Sequence, residues 1–70
     1  MSEPVIIQVN GESKQTPAGI TVTALLAQLG LESGRVAVEH NLKIIPKSQW
    51  DNTQIASGDR LEIVQFVGGG

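Results

Sequence analysis

The stretch RLEIVQFVGGG at residues 60–70 decides the fold, because a run of strand-forming residues passes there without a turn into three glycines. β-Branched and aromatic residues favour strands, whereas consecutive glycines have no side chain to pack. We therefore predict a last strand over residues 60–67 and a flexible tail over residues 68–70. Since stability does not explain such a tail, we expect it to enter a narrow channel in a partner protein. A passive, frayed end is the alternative.

The side chains of this last strand are predicted to divide between two faces. Successive strand residues point to opposite faces, so Leu61 and Ile63 share one face. Glu62, Val64 and Phe66 share the other, and the charge of Glu62 marks that face as outward. Val64 and Phe66 are then apolar groups exposed directly before the tail, which predicts a partner-docking surface. The alternative is that Phe66 packs on the tryptophan or on a loop.

Size and composition limit the protein to one small globular domain. The chain has 70 residues, of which 40% are hydrophobic and 17% are charged, as in a folded domain rather than a disordered segment. The formal net charge of −2 disfavours nucleic-acid binding, which requires a basic surface. There is no cysteine, no apolar run of transmembrane length and no signal-peptide pattern at residues 1–4. We therefore expect a cytoplasmic protein that contacts neither nucleic acid nor a membrane.

The N-terminal residues predict a β-hairpin. Residues 4–9 are rich in β-branched side chains and lead into Asn10-Gly11, the dipeptide that most favours a tight type I′ turn. Residues 12–16 form a polar return strand that should lie at the edge of the sheet. Pro17 should end this strand, because proline cannot donate a ladder hydrogen bond.

A short amphipathic helix follows the hairpin. Thr21 is a suitable N-cap, and Gly30 supplies the left-handed residue that ends a helix. A helix of roughly nine residues is unstable alone, so its apolar stripe must pack on a sheet. The stripe consists of Val22, Leu25, Leu26 and Leu29.

The second half of the chain predicts two more strands and two turns before the last strand. The strands are expected at residues 35–41 and 44–45, joined by a tight corner. Residues 46–50 should form a helical turn or a 3₁₀ connector, with proline at its first position and Trp50 folded back onto the core. Residues 56–59 should form the second turn.

These elements predict a β-grasp fold of the α+β class over residues 1–67. A right-handed helical crossover places the third strand away from the first and leaves a gap between them. The last strand is the only apolar strand left to fill this gap. We therefore predict a single-domain mixed sheet of about five strands in the order 2-1-5-3-4, with the helix on one face and the other face open.

The sequence also resembles a known family. The similarity lies in VEHN at residues 38–41, IIPKSQW at residues 44–50, GDRLEI at residues 58–63 and VGGG at residues 67–70. Together these segments look like ThiS, the ubiquitin-like sulfur-carrier family of bacterial thiazole synthesis in thiamine biosynthesis. A terminal Gly-Gly alone is less specific, since molybdopterin-synthase small subunits and ubiquitin share it. The third terminal glycine departs from the Ala-Gly-Gly of many relatives and should leave the chemistry intact.

This resemblance implies a carrier rather than an enzyme. In the family, the carboxylate of the terminal glycine, here Gly70, is adenylated by an E1-like enzyme of the ThiF type that uses ATP and Mg²⁺. The acyl-adenylate becomes a thiocarboxylate with sulfur from a source such as a cysteine desulfurase, and the tail delivers this sulfur to a thiazole synthase of the ThiG type. Gly68 and Gly69 then enter the active sites of the partners. The chain itself is expected to bind no cofactor or metal and to hold no catalytic residue.

The remaining polar residues give no pattern typical of an enzyme. His40 is the only histidine, so we expect a surface or hydrogen-bonding residue rather than a metal ligand. Asp51 and Asp59 lie in predicted turns, where aspartate commonly bonds the local backbone. Scattered basic residues are expected to be solvated, or at most to rim a partner contact; they include Arg35, Lys43, Lys47 and Arg60.

Two classes of function stay open from the sequence. The first is a sulfur carrier, a protein co-substrate without turnover of its own, which serves thiazole synthesis or another pathway of the molybdopterin-synthase type. The second is a non-reactive β-grasp interaction module. Deleting Gly69 and Gly70 would leave the function of such a module intact.

Overall fold

The computed structural model describes residues 3–31 and 35–66. These residues form, in chain order, β1 (Pro4–Val9), β2 (Glu12–Pro17), α1 (Val22–Gln28), β3 (Val36–His40), β4 (Lys43–Ile45), a 3₁₀-helix (Lys47–Asn52) and β5 (Arg60–Gln65). Within these two ranges, no helix combines the length and the apolar character that crossing a membrane requires.

The strands build one mixed sheet with the order β2-β1-β5-β3-β4. β1 and β5 are parallel, and the other neighbouring strands are antiparallel. β5 therefore lies between β1 and β3, in the gap that the helical crossover leaves. The predicted β-grasp fold is confirmed, with its last strand at the centre of the sheet.

The predicted tight turn joins β1 to β2. Asn10 and Gly11 have φ angles of 51° and 83°, the left-handed values that a type I′ turn requires. β2 includes Pro17, which lies opposite Pro4, so the prediction that the strand stops at Thr16 was wrong by one residue. The physical reason is that β2 is an edge strand, where a residue without an N–H interrupts no further ladder.

α1 begins where predicted and is shorter than predicted. The hydroxyl of Thr21 accepts a hydrogen bond from the N–H of Ala24 at 3.1 Å and so caps the helix. The helix has seven residues, because Leu29 is already the C-cap and Gly30 follows with a φ of 76°. Three residues of the predicted stripe are buried, and Leu29 packs partly against the same core.

The β3–β4 hairpin is shifted relative to its prediction. β3 spans Val36–His40 rather than residues 35–41, because Asn41 and Leu42 take left-handed φ angles of 51° and 74° and form the turn. β4 accordingly begins at Lys43, one residue earlier than predicted.

β5 also ends earlier than predicted, at Gln65. The N–H of Phe66 still donates to the carbonyl of Arg35 at 2.9 Å, so hydrogen bonding towards β3 continues for one residue beyond the strand. Val67, the predicted last residue of the strand, lies outside the described residues.

The core lies between α1 and the sheet. Trp50 is 7% exposed and its Nε1–H donates to the carbonyl of Ile45 at 3.0 Å, which confirms that it folds back onto the core. Pro46 precedes the 3₁₀-helix as its N-cap instead of opening it. Ile55 is 1% exposed and was not predicted as a core residue. The other buried hydrophobic residues are Ile7, Val9, Val22, Leu25, Leu26, Val36, Val38, Leu61 and Ile63.

Candidate functional site

The sheet face opposite α1 carries the two residues predicted to dock on a partner. Leu61 and Ile63 of β5 are buried, whereas Val64 and Phe66 are 55% and 57% exposed. Glu62 is exposed as well. The predicted division of side chains between the two faces is therefore confirmed for Leu61, Glu62, Ile63 and Val64, whereas Phe66 is exposed just beyond the end of the strand. Val64 and Phe66, whose contact with a partner remains a prediction, are called the docking surface below.

Phe66 is held through its backbone and not through its ring. Its N–H is bonded to Arg35, while its side chain makes no part of the buried core. Trp50, the alternative packing partner, belongs to the 3₁₀-helix and is buried in the core cluster, which does not include Phe66. The Phe66 ring is thus exposed at the point where the described residues end.

The strands beside β5 widen the apolar part of the open face. Ala37 lies directly opposite Val64, and Ile44 of β4 is 68% exposed. Sequence reasoning missed Ile44, although its alternation with the partly buried Ile45 is a signal that could have placed it outward. Leu42, in the adjacent turn, is 80% exposed and was missed too, because no periodic pattern covers a turn.

The backbone beneath the docking surface is bonded on both sides. Towards β3, β5 forms a continuous antiparallel ladder that includes the pair Ala37 and Val64. Towards β1, the side-chain amide of Asn10 bonds both backbone groups of Ile63. Val64 therefore projects from a fixed segment of strand.

The residues predicted to react or to enter partner active sites lie outside the described residues. They are Gly68, Gly69 and Gly70. The last described residue before them is Phe66, two positions before Gly68.

A hydrogen-bonded cluster joins the β3–β4 turn to the loop before β5. Nε2 of His40 lies 2.6 Å from Oδ2 of Asp59, and Nδ2 of Asn41 donates to Oδ1 of Asp59 at 3.1 Å. The N–H of Ala56 donates to the same carboxylate at 2.8 Å. Burial raises the pKa of Asp59, but these hydrogen bonds outweigh it and hold the pKa below its ordinary value of 3.8. The predictions of a hydrogen-bonding His40 and of an Asp59 that binds its local backbone are both confirmed.

Asp51 differs from its prediction. Its carboxylate accepts a hydrogen bond from the hydroxyl of Thr23 on α1, not from the local backbone, because the 3₁₀-helix packs beside α1. The two residues line a cleft of about 180 Å³ together with Leu26, Lys47 and Trp50. Small-molecule sites usually occupy roughly 300–1,000 Å³, so this cleft gives no indication of a substrate pocket.

In the described part of the chain, the basic residues predicted to be solvated form no ion pair. Among the described residues, Lys14 forms an ion pair with Glu12, and His40 lies within the same distance of Asp59. In the same part of the chain, no three His, Cys, Asp or Glu side chains are grouped so that they could hold a metal ion. The residues of the prediction are all exposed; they are Arg35, Lys43, Lys47 and Arg60.

A mixed five-stranded sheet in this order with one helix on one face defines a ubiquitin-like β-grasp protein. The chain is similar to the crystal structure of a thiamine biosynthesis protein, ThiS, from Geobacter metallireducens, with a TM-score of 0.81 and 30% sequence identity. That match covers 94% of this chain and 100% of the Geobacter chain. A family model described as the ThiS family matches residues 7–70, and the chain belongs to the ThiS family.

Two curated relatives differ in how much of their own length this chain covers. The sulfur carrier protein ThiS of Bacillus subtilis is 38% identical over 66 residues, which cover 93% of this chain and 100% of the relative. A thiazole synthase of Paramagnetospirillum magneticum is 52% identical over 62 residues, which cover 89% of this chain. The chain spans only about a fifth of the length of the thiazole synthases that it matches, 19% and 20% in the two cases.

Proposed function

We propose that this chain carries sulfur as a thiocarboxylate at Gly70 and donates it to thiazole formation in thiamine biosynthesis. The observation that carries the proposal is the position of Val64 and Phe66, which are exposed at the end of the central strand and directly precede the glycine tail. Membership of the ThiS family supports it, because the Bacillus subtilis relative of the same extent is named a sulfur carrier.

The proposed chemistry begins with activation of the terminal carboxylate. A carboxylate is a poor electrophile, so it needs a leaving group before sulfur can be attached. Attack of the Gly70 carboxylate on the α-phosphate of ATP forms an acyl-adenylate and releases pyrophosphate. The Mg²⁺ ion and the groups that stabilise the developing charge belong to the activating enzyme.

The second step places sulfur on the same carbon atom. The terminal sulfur of a persulfide, formed from cysteine by a partner such as a desulfurase, attacks the acyl carbon and displaces AMP, which gives an acyl disulfide. A partner's thiol then cleaves the S–S bond, so that the thiocarboxylate stays on the chain and a disulfide forms on the partner. The chain contains no cysteine, so it has no thiol side chain on which sulfur could be held instead. The protein is a co-substrate in this scheme, and its partners are the catalysts.

The activating enzyme binds the protein through the docking surface. Burying an exposed valine or phenylalanine on a partner contributes about 1.5–3 kcal/mol per side chain before the costs of association. Gly68 and Gly69 have no side chains and suit a narrow channel. Since an extended chain spans at most about 3.6 Å per residue, the reacting carbonyl must lie within roughly 14 Å of the bound Phe66.

The proposed partners are a ThiF-type adenylyltransferase and a ThiG-type thiazole synthase. The second assignment is supported by the thiazole synthases that contain a segment similar to this chain. A cytoplasmic location is part of the proposal and agrees with the lack of cysteines.

Pyrophosphate release tests the activation step. The full chain is incubated with its organism's own ThiF-type enzyme, ATP and Mg²⁺, beside a variant that lacks Gly69 and Gly70. We expect release that depends on the intact protein and falls to background with the shortened variant. Equal release by both forms, or none by either, would contradict the proposal.

A further inference from the structure

Two glutamates face each other at the centre of the open sheet face. Glu39 of β3 lies directly opposite Glu62 of β5 in the antiparallel register. Side chains in such a position have Cβ atoms about 4.5–5.5 Å apart, and like charges placed there destabilise a sheet. Stability alone does not account for this pair.

In the part of the chain that the structure describes, no cation lies within ion-pair distance of either carboxylate. Among residues 3–31 and 35–66, neither glutamate forms an ion pair. Arg60, which shares the outward face of β5 two residues before Glu62, stays outside ion-pair distance. Arg35, on the outward side before β3, also stays outside that distance.

Apolar side chains flank the glutamate pair. Ile44 lies beside Glu39 on the β4 side and is 68% exposed. Val64 follows two residues after Glu62 on the same face and is 55% exposed. A partner that covers Val64 therefore also removes water from the neighbouring carboxylates. Desolvating a carboxylate is costly unless a cation or hydrogen-bond donors replace the water.

We propose that the activating enzyme presents an arginine or lysine side chain to the Glu39–Glu62 pair, within an otherwise apolar contact with Val64 and Ile44. The inference rests on the proposed function and extends its docking surface. Charge complementarity identifies the partner's side chain as a cation. One cation placed between the two carboxylates contacts both and relieves their repulsion. A guanidinium group suits the position especially well, since its planar array of N–H groups can bond both carboxylates at once.

The activating enzyme is the partner that fits this chemistry. It has to surround ATP with positive charge close to where the tail enters. Complementary charge between two surfaces also raises the rate of encounter and makes it sensitive to salt. The free protein therefore keeps a destabilising pair of charges that becomes favourable only in the complex.

The test replaces each carboxylate by an amide of the same shape. The double variant Glu39→Gln with Glu62→Gln is expected to raise the KM for pyrophosphate release by about tenfold and to weaken the dependence of KM on salt, with kcat unchanged. The free variant should melt roughly 2–4 °C higher, because the repulsion is gone. A purely structural role would not produce weaker binding together with higher stability.

Glu12→Gln is the matched control. Glu12 is an exposed carboxylate on β2 and lies directly opposite the buried Val9. Its side chain is therefore on the face of the sheet that α1 covers and not on the open face. This variant should keep the wild-type KM. A double variant with a KM within twofold of wild type and the same salt dependence would overturn the inference. Absence of any release by wild-type protein would count against the proposed function itself, so the two failures are distinguishable.

Discussion

The side chain of Asn10 continues the sheet where β1 ends, by bonding both backbone groups of Ile63. Its Oδ1 accepts from the N–H of Ile63 at 2.7 Å, and its Nδ2 donates to the Ile63 carbonyl at 3.0 Å. The β1–β5 register itself consists of the two pairs Gln8–Arg60 and Val9–Leu61. The amide thus acts as one more peptide group in the ladder and fixes β5 immediately before the docking surface.

We expect Asn10→Ala to lower the free energy of unfolding by about 3 kcal/mol. Roughly 1 kcal/mol comes from each lost hydrogen bond and about 1 kcal/mol from forcing alanine into a left-handed conformation. Asn10→Gly separates these contributions, because glycine takes the positive φ without strain. Urea unfolding measures both variants. If Asn10→Gly is as stable as wild type, the amide bonds contribute nothing and the interpretation is wrong.

The His40–Asp59 cluster predicts acid sensitivity. The folded state holds the pKa of Asp59 below 3.8, so its stabilising effect is complete above that value and is lost as the pH falls through the lower, folded-state pKa. Thermal melts of wild type between pH 5 and pH 2 should therefore show a steeper loss of stability than those of Asp59→Asn. Glu12→Gln, which alters an exposed carboxylate, is the control and should follow wild type. Parallel curves for wild type and Asp59→Asn would contradict the prediction.

Ile55 is predicted to be among the most sensitive core positions. It is 1% exposed, and its N–H donates to the carbonyl of Ile20 at 2.7 Å, which holds the loop before β5 against the loop before α1. Ile55→Ala should cost about 2–5 kcal/mol of stability, and Ile55→Val only about 0.5–1.5 kcal/mol. Urea unfolding measures this series. The midpoint should fall, while the dependence of the unfolding free energy on urea concentration stays unchanged. A loss below 1 kcal/mol for the alanine variant would show that the site is not packed as described.

Phe66→Ala tests the docking surface. Removal of an exposed ring should change the melting temperature by no more than about 2–4 °C, because surface substitutions alter stability by about 0.5 kcal/mol or less. The KM for pyrophosphate release with the ThiF-type enzyme should rise about tenfold or more, since 1.4 kcal/mol of lost burial corresponds to tenfold. Val64→Ala should act in the same direction and more weakly.

Ile6→Ala is a matched control for Phe66→Ala. Ile6 is 51% exposed and so, like Val64 and Phe66, is an exposed apolar residue, but it lies far from them. The N–H of Gly58 donates to the Ile6 carbonyl at 2.9 Å, so Ile6 lies beside Gly58, which is six residues before Val64. At about 3.3 Å per residue, the two side chains are separated by roughly 20 Å along the sheet. Ile6→Ala should keep the wild-type KM. An equal effect of Ile6→Ala and Phe66→Ala would remove the special role of Phe66.

The order of the sheet could be predicted because a few local signals restrict the topology. The Asn10-Gly11 turn commits β1 and β2 to a hairpin, and the Thr21 cap starts a helix that cannot be stable without a sheet. Once a right-handed crossover leaves a gap beside β1, β5 is the apolar strand available to fill it. Alternation along β5 then assigns Val64 to the open face.

The errors and omissions arise where tertiary contacts replace local pattern. Ile55 belongs to no periodic segment. Its loop is hydrogen-bonded to the segment before α1, and its side chain is buried in the core cluster. Asp51 bonds Thr23, 28 residues away, because two helices meet there. The pairing of Glu39 with Glu62 depends on the strand register, which a list of strands does not specify.

Intact-mass spectrometry of the protein made in cells with its native partners tests the central claim most directly. We predict a population whose mass exceeds that of the unmodified chain by the difference between one sulfur and one oxygen atom, with the change located at Gly70 by fragmentation. The population should disappear when the ThiF-type enzyme is deleted. A mass that stays at the unmodified value while the partners are present and active would contradict the account.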